Sequence, residues 1–296
     1  MSPTTPLRGV LVPETTPFDQ HGELDGAAFR ANVRAHLQAG VSGIVTAGST
    51  GEAPLLDDEE RLRLVELARE LVNEHQWVIA GTGSESTRTT IWRSRDAAAN
   101  GADAVLVVAP HYYGGQMSPA ALESHFREVA DECAVPVILY NIPKYAHFAL
   151  GADLVARLAA HPNVIGIKDS SGDPESLRGY LAAQSDTFTV LTGSGSGFLP
   201  ALEAGARGGI LAVATFAAPV AVRLFESFHG RDRAAAEQAQ AMLAPLAKEI
   251  IAARGPAGVK TALDAVGLHG GPVRGPLVPL AGADAEAVAL MMRGVS

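Results

Sequence analysis

The fold is decided by a segment that begins Ala104-Val105-Leu106-Val107-Val108-Ala109 and ends Val135-Pro136-Val137-Ile138-Leu139-Tyr140. Both ends are apolar almost without interruption, as is typical of parallel strands that are covered on both faces. The stretch between them, Ser118–Glu132, is amphipathic, with Ser118 in position to cap a helix and Pro119 in its first turn. The segment therefore predicts a strand, a helix and a second strand.

The same alternation of an apolar run and a helical stretch recurs along most of the chain. The predicted strands are Gly9–Pro13, Gly43–Ala47, Trp77–Ala80, Ala104–Ala109, Val135–Tyr140, Val164–Lys168, Phe188–Leu191 and Gly209–Val213. Eight such units within about 225 residues match an α/β fold, the (β/α)8 or TIM barrel, in size and order. The alternative is a doubly wound open sheet, which would carry a glycine fingerprint in its first strand–helix turn. That turn, Glu14–Phe18, contains no glycine.

The last part of the chain follows a different pattern. From about His229 it is helical only, with helices predicted over Asp232–Arg254, Val259–Val266 and Asp284–Arg293. We therefore expect a catalytic barrel over residues 1–228. We expect residues 229–296 to form a helical extension that packs on the barrel and is not an independent domain.

Composition excludes several classes of protein. The formal net charge of −9 over 296 residues argues against a nucleic-acid-binding protein, which needs a basic face. The single cysteine, Cys133, excludes a disulfide framework and a cysteine-built metal site. No secretory signal is recognisable at Met1–Pro6, and no apolar stretch is long enough to cross a membrane. We expect a soluble, cytoplasmic protein that binds neither nucleic acid nor membranes.

The sixth predicted strand ends in a lysine, at the edge of the barrel where catalytic residues lie. Only four lysines occur in the chain, and Lys168 is the one that directly follows an apolar strand and would point into the barrel mouth. Burial disfavours the ammonium form of lysine, and the neutral amine is the nucleophile that attacks a carbonyl. The alternative is an ion pair between Lys168 and the adjacent Asp169.

Other strand ends also carry candidate site residues. Gly48-Ser49-Thr50-Gly51-Glu52 follows the second strand, where its amides and hydroxyls could converge on a carboxylate or a phosphate. An ordinary Gly/Ser turn is the alternative. Tyr112 follows the fourth strand and Tyr140 ends the fifth, and a tyrosine offers a ring for the wall and a phenol for the site. Either phenol could equally lie in water.

Taken together, these motifs resemble those of the Schiff-base pyruvate aldolases and synthases, the family that includes N-acetylneuraminate lyase and dihydrodipicolinate synthase. The resemblance extends from about Gly9 to Leu280. It is carried by Gly48–Glu52, Gly81–Ser84, Pro110–Tyr113, Tyr140–Pro143, Gly166–Ser170, Gly193–Gly197 and Gly270–Arg274. It implies a carbon–carbon lyase that forms a covalent lysine imine with pyruvate and needs no cofactor. No metal is expected either, since none of the nine histidines belongs to an H-x-H or H-x-x-x-H pair.

The resemblance also implies roles for individual residues. Lys168 would form the imine with the keto carbon of pyruvate, and Tyr140 would transfer protons. Ser49 and Thr50 would bind the pyruvyl carboxylate. Thr50 would also link Tyr140 to a second tyrosine, Tyr112.

Three further residues and the oligomeric state follow from the same resemblance. The backbone of Leu211 would face the pyruvyl group, and Ser170 would lie beside the substrate hydroxyl. The residue corresponding to Tyr112 reaches into the neighbouring subunit's site in relatives, which implies a homo-oligomer, either a dimer or a tetramer of dimers. Tyr145 would lie at the mouth, where the second substrate enters.

Tyr145 bears on the identity of that second substrate. Dihydrodipicolinate synthases have an arginine two residues after their Tyr-Asn-x-Pro motif, and it holds the carboxylate of the incoming substrate. This chain has Tyr145 there, and a phenol is a poor replacement for the guanidinium fork, although the neighbouring Lys144 could supply a charge. Three stretches look closer to 4-hydroxy-2-oxoglutarate aldolase: Tyr112–Ser118, Lys168–Asp173 and Gly193–Leu199.

We therefore expect cleavage of a short 4-hydroxy-2-oxo acid, such as 4-hydroxy-2-oxoglutarate, to pyruvate and an aldehyde. The first alternative is dihydrodipicolinate synthase, which condenses pyruvate with aspartate semialdehyde. A 2-keto-3-deoxy sugar-acid aldolase or dehydratase comes next. A non-enzymatic pyruvate sensor is least favoured, because Lys168, Tyr140 and the Thr50 hydroxyl occur together.

Overall fold

A computed structural model describes residues 5–295 of the chain. Met1, the first residue of the predicted barrel segment, and Ser296, the last residue of the predicted helical extension, lie outside this range. Most of Met1–Pro6, where no secretory signal is recognisable, lies outside it as well. Eight parallel strands close into a barrel in chain order, with β8 paired to β1. They are β1 (Gly9–Pro13), β2 (Gly43–Thr46), β3 (Trp77–Gly81), β4 (Ala104–Val108), β5 (Val137–Asn141), β6 (Val164–Asp169), β7 (Thr189–Thr192) and β8 (Gly208–Ile210). The predicted TIM barrel is confirmed.

Helices connect the strands and continue beyond the barrel. They are α1 (Gly26–Gln38), α2 (Asp58–Arg69), α3 (Thr87–Ala99), α4 (Pro119–Glu132), α5 (Pro143–Ala146), α6 (Ala152–Ala159), α7 (Pro174–Leu181), α8 (Phe198–Ala204), α9 (Ala214–His229), α10 (Arg233–Leu246), α11 (Ala253–Ala265) and α12 (Gly282–Met291). A π-helical turn, Ala247–Ala252, joins α10 to α11. Between residues 5 and 295, none of the helices has both the length and the apolar character that a membrane crossing requires.

Two helix starts are capped by side chains, and the one at Ser118 is the start that the sequence predicts. Asp57 accepts the N–H of Glu60 at 2.8 Å, and the Glu60 carboxylate accepts the N–H of Asp57 at 3.0 Å, which forms a capping box at α2. Ser118 Oγ accepts the N–H of Ala121 at 3.2 Å at the start of α4. The caps fix where each helix begins after its strand.

The strands are apolar on both faces because two cores lie on either side of them. One core fills the barrel interior and includes Leu11, Val45, Ile79, Leu106 and Ile138. The other lies between strands and helices and includes Val10, Val12, Ile44, Val105 and Leu139. Each buried aliphatic side chain stabilises the fold by about 1.5–3 kcal/mol relative to exposure. The near-continuous apolar runs of the sequence follow from this double burial.

Many predicted boundaries differ from the observed ones, most of them by one or two residues, and three of the differences have a clear physical reason. The eighth strand ends at Ile210 rather than Val213, because the Leu211 carbonyl accepts the N–H of Ala214 in the turn that leads into α9. The fifth strand begins after Pro136, which has no N–H to donate. The helix predicted over Asp232–Arg254 is interrupted by the π-helical turn. Directly after it, Gly255 has a φ of +57°, which is not helical.

The helical extension is joined to the barrel mouth by a buried ion pair. Lys260, in α11, places its Nζ 2.6 Å from Glu52 Oε1, and both side chains are almost fully buried. Glu52 Oε2 accepts the N–H of Arg274 at 2.8 Å, and Lys260 Nζ donates to the Pro272 carbonyl at 2.6 Å. We call Glu52, Lys260 and Arg274 the clasp. Burial lowers the pKa of Lys260, and the Glu52 carboxylate opposes that effect.

The clasp is extended by the Arg274 side chain. Its guanidinium donates two bonds to the Glu60 carboxylate at the start of α2 and lies 4.1 Å from the centroid of the Phe18 ring. These bonds hold the pKa of Glu60 below its usual range. Residues far apart in sequence are thereby fixed around the loop that follows β2.

We expect either single change in the clasp, Glu52→Gln or Lys260→Met, to lower the free energy of unfolding by about 3–5 kcal/mol, since each leaves a buried charge without its partner. The double variant, Glu52→Gln with Lys260→Met, should lose less free energy of unfolding than the sum of the two single losses, because it buries neither charge. Denaturant titration of the three variants measures both quantities.

The control is Arg63→Gln, which removes an ion pair with Glu66 that is about half exposed and should change stability by no more than about 1 kcal/mol. Strictly additive effects of the two clasp substitutions would show that Glu52 and Lys260 do not interact energetically.

Candidate active site

A cavity of about 330 Å³ opens at the carboxyl ends of the strands. Its lining includes six residues singled out by the sequence: Ser49, Thr50, Tyr140, Tyr145, Lys168 and Ser170. These residues come from the ends of β2, β5 and β6 and the loops that follow. The strand ends therefore bring together residues that are more than 100 positions apart in sequence.

Lys168 and Tyr140 face the same side of the sheet because they are register partners in β5 and β6. Lys168 Nζ lies 4.2 Å from the centroid of the Tyr140 ring, and each residue is only 5% exposed. The amine is thus held against an aromatic face inside the mouth. A buried amine in such a cavity is suited to nucleophilic attack on a carbonyl carbon.

Asp169, the alternative partner of Lys168, points elsewhere. Its Oδ1 accepts bonds from Asn141 Nδ2 at 2.8 Å and from the N–H of Ser171 at 3.0 Å. Its Oδ2 accepts the Ser171 hydroxyl at 2.9 Å. The carboxylate braces the loop after β6 and leaves the lysine directed into the cavity.

The loop after β2 presents Ser49 and Thr50 in a short 3-10 turn. Thr16 Oγ1 donates to the Gly51 carbonyl at 2.7 Å. A Cβ on Gly51 would lie 2.8 Å from the Glu14 carbonyl oxygen, so only glycine fits this approach. Glu52, the clasp carboxylate, follows with a left-handed φ of +57°. The turn is thus anchored on both sides, which favours a fixed arrangement of its hydroxyls and amides.

Ser170 lies where the strands β6 and β7 end. Its N–H donates to the Asn141 carbonyl at 2.9 Å. Gly193 follows β7, and because it has no side chain, Ser170 and Lys168 can pack against its backbone. A Cβ at this position would clash with Ser170 and lie 3.1 Å from Lys168 Cε. The glycine-rich stretch after β7 therefore makes room for these two side chains.

Tyr145 lies at the rim, 40% exposed. Its partial burial raises the pKa of the phenol, and the nearby Tyr140 raises it further. The phenol is therefore neutral near pH 7. It can donate a hydrogen bond, but it offers no positive charge to a carboxylate.

Two predicted residues do not line the cavity. Tyr112 is 78% exposed, and its ring packs against Tyr113 with a centroid distance of 5.0 Å. Leu211 is fully buried in the core, and the residues on either side of it, Ile210 and Ala212, line the cavity instead. A role for Leu211 would thus have to come from its backbone.

The helical extension also contributes to the cavity, which the sequence interpretation does not anticipate. The contributing residues are Ala247, Ile251, Ala252, Gly255, Pro256 and Val259. The Gly255-Pro256 pair, which lies between two predicted helices, is the sequence signal of an interruption there. Among residues 5–295, no group of three or more His, Cys, Asp or Glu side chains is arranged to hold a metal ion.

Residues 6–293 match the sequence model of the Dihydrodipicolinate synthetase family. The 4-hydroxy-tetrahydrodipicolinate synthase of Xanthomonas axonopodis pv. citri is 39% identical over 278 residues, covering 94% of this chain and 91% of that one. Dihydrodipicolinate synthase DapA-2 of Bacillus anthracis has a TM-score of 0.93 and 31% identity, over 98% of this chain and 99% of that one. The dihydrodipicolinate synthase of Acinetobacter baumannii, solved in complex with pyruvate, has a TM-score of 0.92 and 30% identity over the same shares.

We expect Tyr140→Phe to keep the fold and to lower kcat by about 10²–10⁴-fold, the usual contribution of a positioned proton donor, since it removes the phenol beside Lys168 and retains the ring. Steady-state kinetics and thermal unfolding of the same samples measure the two effects. A matched control is Tyr180→Phe, which removes a buried phenol that donates to the Leu150 carbonyl at 2.5 Å outside the cavity. It should lower stability and leave kcat nearly unchanged. If Tyr140→Phe kept a kcat as high as that of Tyr180→Phe, proton transfer by Tyr140 would be excluded.

Proposed function

The chain belongs to the dihydrodipicolinate synthetase family, and we propose that within this family it is a 4-hydroxy-tetrahydrodipicolinate synthase. Enzymes of the family are lyases and synthases that join pyruvate to a lysine as a Schiff base and use no additional cofactor. The predicted enzyme class is therefore confirmed. A relative that is 39% identical over nearly the whole chain carries the synthase name, which favours this activity over the 4-hydroxy-2-oxoglutarate cleavage expected from the sequence.

The observation that carries the proposal is the placement of Lys168 Nζ over the Tyr140 ring, in a cavity that Ser49 and Thr50 also line. In the proposed reaction, the Lys168 amine attacks the keto carbon of pyruvate, and loss of water gives the imine. Loss of a methyl proton gives an enamine, because the iminium accepts the electron pair. The enamine carbon then attacks the aldehyde carbon of aspartate semialdehyde and forms the new carbon–carbon bond.

Each proposed role corresponds to a group in the cavity. Ser49 and Thr50 present hydroxyls and amides that suit the pyruvyl carboxylate. Tyr140 is the nearest proton carrier to Lys168 on the neighbouring strand, so it would serve the carbinolamine and the carbon that reacts. Ser170 would lie near the oxygen of the incoming aldehyde.

A second candidate function is the cleavage of a 4-hydroxy-2-oxo acid, and Tyr145 is the observation that favours it. The phenol stands at the mouth where synthases hold the carboxylate of the second substrate with arginine. Within the described chain, no arginine lines the cavity. Cleavage would use the same imine in the reverse direction, with Tyr140 taking the hydroxyl proton as the bond between C3 and C4 breaks.

We expect the condensation of pyruvate with aspartate semialdehyde to exceed pyruvate release from 4-hydroxy-2-oxoglutarate by at least about 10-fold in kcat/KM, or about 1.4 kcal/mol in transition-state free energy. Both reactions are measured on one preparation, together with a panel of 2-keto-3-deoxy sugar acids. The Lys168→Ala variant serves as the blank. A ratio inverted by the same factor would establish the cleavage reaction as the activity and reject the synthase.

We also propose that the protein is a homo-oligomer, either a dimer or a tetramer of dimers, in which Tyr112 enters the neighbouring subunit's cavity. Tyr112 and Tyr113 are both largely exposed, and large exposed aromatic groups are typical of interaction surfaces. The Glu85 carboxylate holds their loop by accepting the N–H groups of His111 and Tyr112 at 2.9 and 2.8 Å. The rings are therefore presented on an anchored backbone.

Mixing Tyr112→Phe with Lys168→Ala subunits should restore part of the activity that each variant lacks, because a hybrid contains cavities with both native groups. Subunit exchange is verified by mass spectrometry, and assembly size by analytical ultracentrifugation. Full exchange without recovered activity would place Tyr112 in its own subunit's site or outside any site.

A further inference from the structure

A second lysine of the cavity wall links two parts of the molecule across the mouth. Lys144 belongs to α5, the short helix after β5. Its Nζ donates to the carbonyl of Ala252, in the helical extension, at 2.8 Å. Both residues line the cavity that holds Lys168. The ammonium is thus fixed at the rim, although the side chain remains exposed.

The Ala252 carbonyl accepts this bond because the helix around it is interrupted. Four residues further on, where an α-helix would supply the donor, stands Pro256, which has no N–H. Gly255 leaves the helical conformation, with φ of +57° and ψ of −148°. Backbone carbonyls that lack their helical donor are usually paired with another donor, and for Ala252 that donor is Lys144 Nζ. The interruption therefore positions the lysine.

This arrangement leaves the ammonium able to bind an anion. Lys144 has three N–H donors, and the Ala252 bond uses one of them. Its Nζ also lies 5.5 Å from the centroid of the Tyr145 ring, which places the charge beside the rim. Within the described residues, the cavity wall holds two basic side chains, Lys144 and Lys168. Because Lys168 is consumed as the nucleophile, the charge available to a second anionic group is that of Lys144.

We propose that Lys144 is the specificity-determining residue that binds the carboxylate of the second substrate, an inference that rests on the proposed imine reaction. The Ala252 carbonyl holds the ammonium in place, and its remaining N–H groups bind the carboxylate. The cavity thereby selects aldehydes that carry a carboxylate over neutral aldehydes of similar length.

The test compares Lys144→Met, which removes the charge and keeps most of the length, with Lys144→Arg, which keeps the charge. The control is Lys248→Met, in the same π-helical turn as Ala252 but not in the cavity wall. Each protein is assayed for condensation of pyruvate with aspartate semialdehyde and with butanal. Exchange of the pyruvate methyl protons for deuterium reports imine and enamine formation without any second substrate.

For Lys144→Met we expect kcat/KM with aspartate semialdehyde to fall by about 10-fold to 100-fold, mainly through KM, since a bond to a charged group is lost. Butanal condensation and deuterium exchange should stay unchanged, and Lys144→Arg should recover part of the loss. Equal losses with both aldehydes, or no loss, would overturn the role of Lys144 and leave the imine reaction intact. Absence of deuterium exchange in the unmodified protein would instead overturn the proposed function and this assignment with it.

Discussion

The buried carboxylate of Glu52 is the group on which the geometry of the mouth depends. It ends the loop that carries Ser49 and Thr50, and it contacts both Lys260 and the backbone of Arg274 from the helical extension. A buried ion pair need not add net stability, because desolvation offsets much of its attraction. What it does provide here is a single arrangement of the loop, since any displacement would leave a charge unpaired inside the protein. The extension is therefore part of the site.

The strand register supplies the second constraint. Since Tyr140 and Lys168 are paired residues on neighbouring strands, a phenol and an amine stand side by side on the inner face of the barrel. The next pair in register, Asn141 and Asp169, bond to each other away from the cavity. Because successive side chains of a strand point to opposite faces, Tyr140 and Lys168 line the cavity while Asn141 and Asp169 do not. The barrel strands hold Tyr140 and Lys168 in place, and the bonded Asn141–Asp169 pair fixes the loop after β6.

Much of this could be predicted from the sequence. Apolar runs of strand length revealed the barrel because double burial leaves few polar positions in parallel strands. Lys168 could be identified because a lysine directly after such a run must lie at the mouth. The clasp could not be predicted, since Glu52 and Lys260 are distant in sequence and each alone resembles an ordinary charged residue. The contribution of Gly255 and Pro256 to the cavity was missed because the sequence places them between two predicted helices of the extension and does not show that this break packs against the barrel mouth.

The second substrate was predicted less well than the fold. Tyr145 suggested cleavage of a hydroxy-oxo acid, whereas relatives similar over nearly the whole chain carry the synthase name. One residue at the rim bears on the recognition of one carboxylate, while the proposed imine chemistry lies deeper, at the ends of β5 and β6. Fold and reaction class therefore follow from many residues together. Substrate choice follows from a few rim residues, which vary more freely than the scaffold.

The most direct measurement is the identification of the lysine that pyruvate modifies. Incubation with pyruvate and borohydride reduces the imine to a stable secondary amine, and peptide mapping by mass spectrometry locates it. If Lys168 is the nucleophile, the reduced pyruvyl group will be found on Lys168 and activity will be lost irreversibly. Modification of Lys144, Lys248 or Lys260, with Lys168 unmodified, would contradict this assignment.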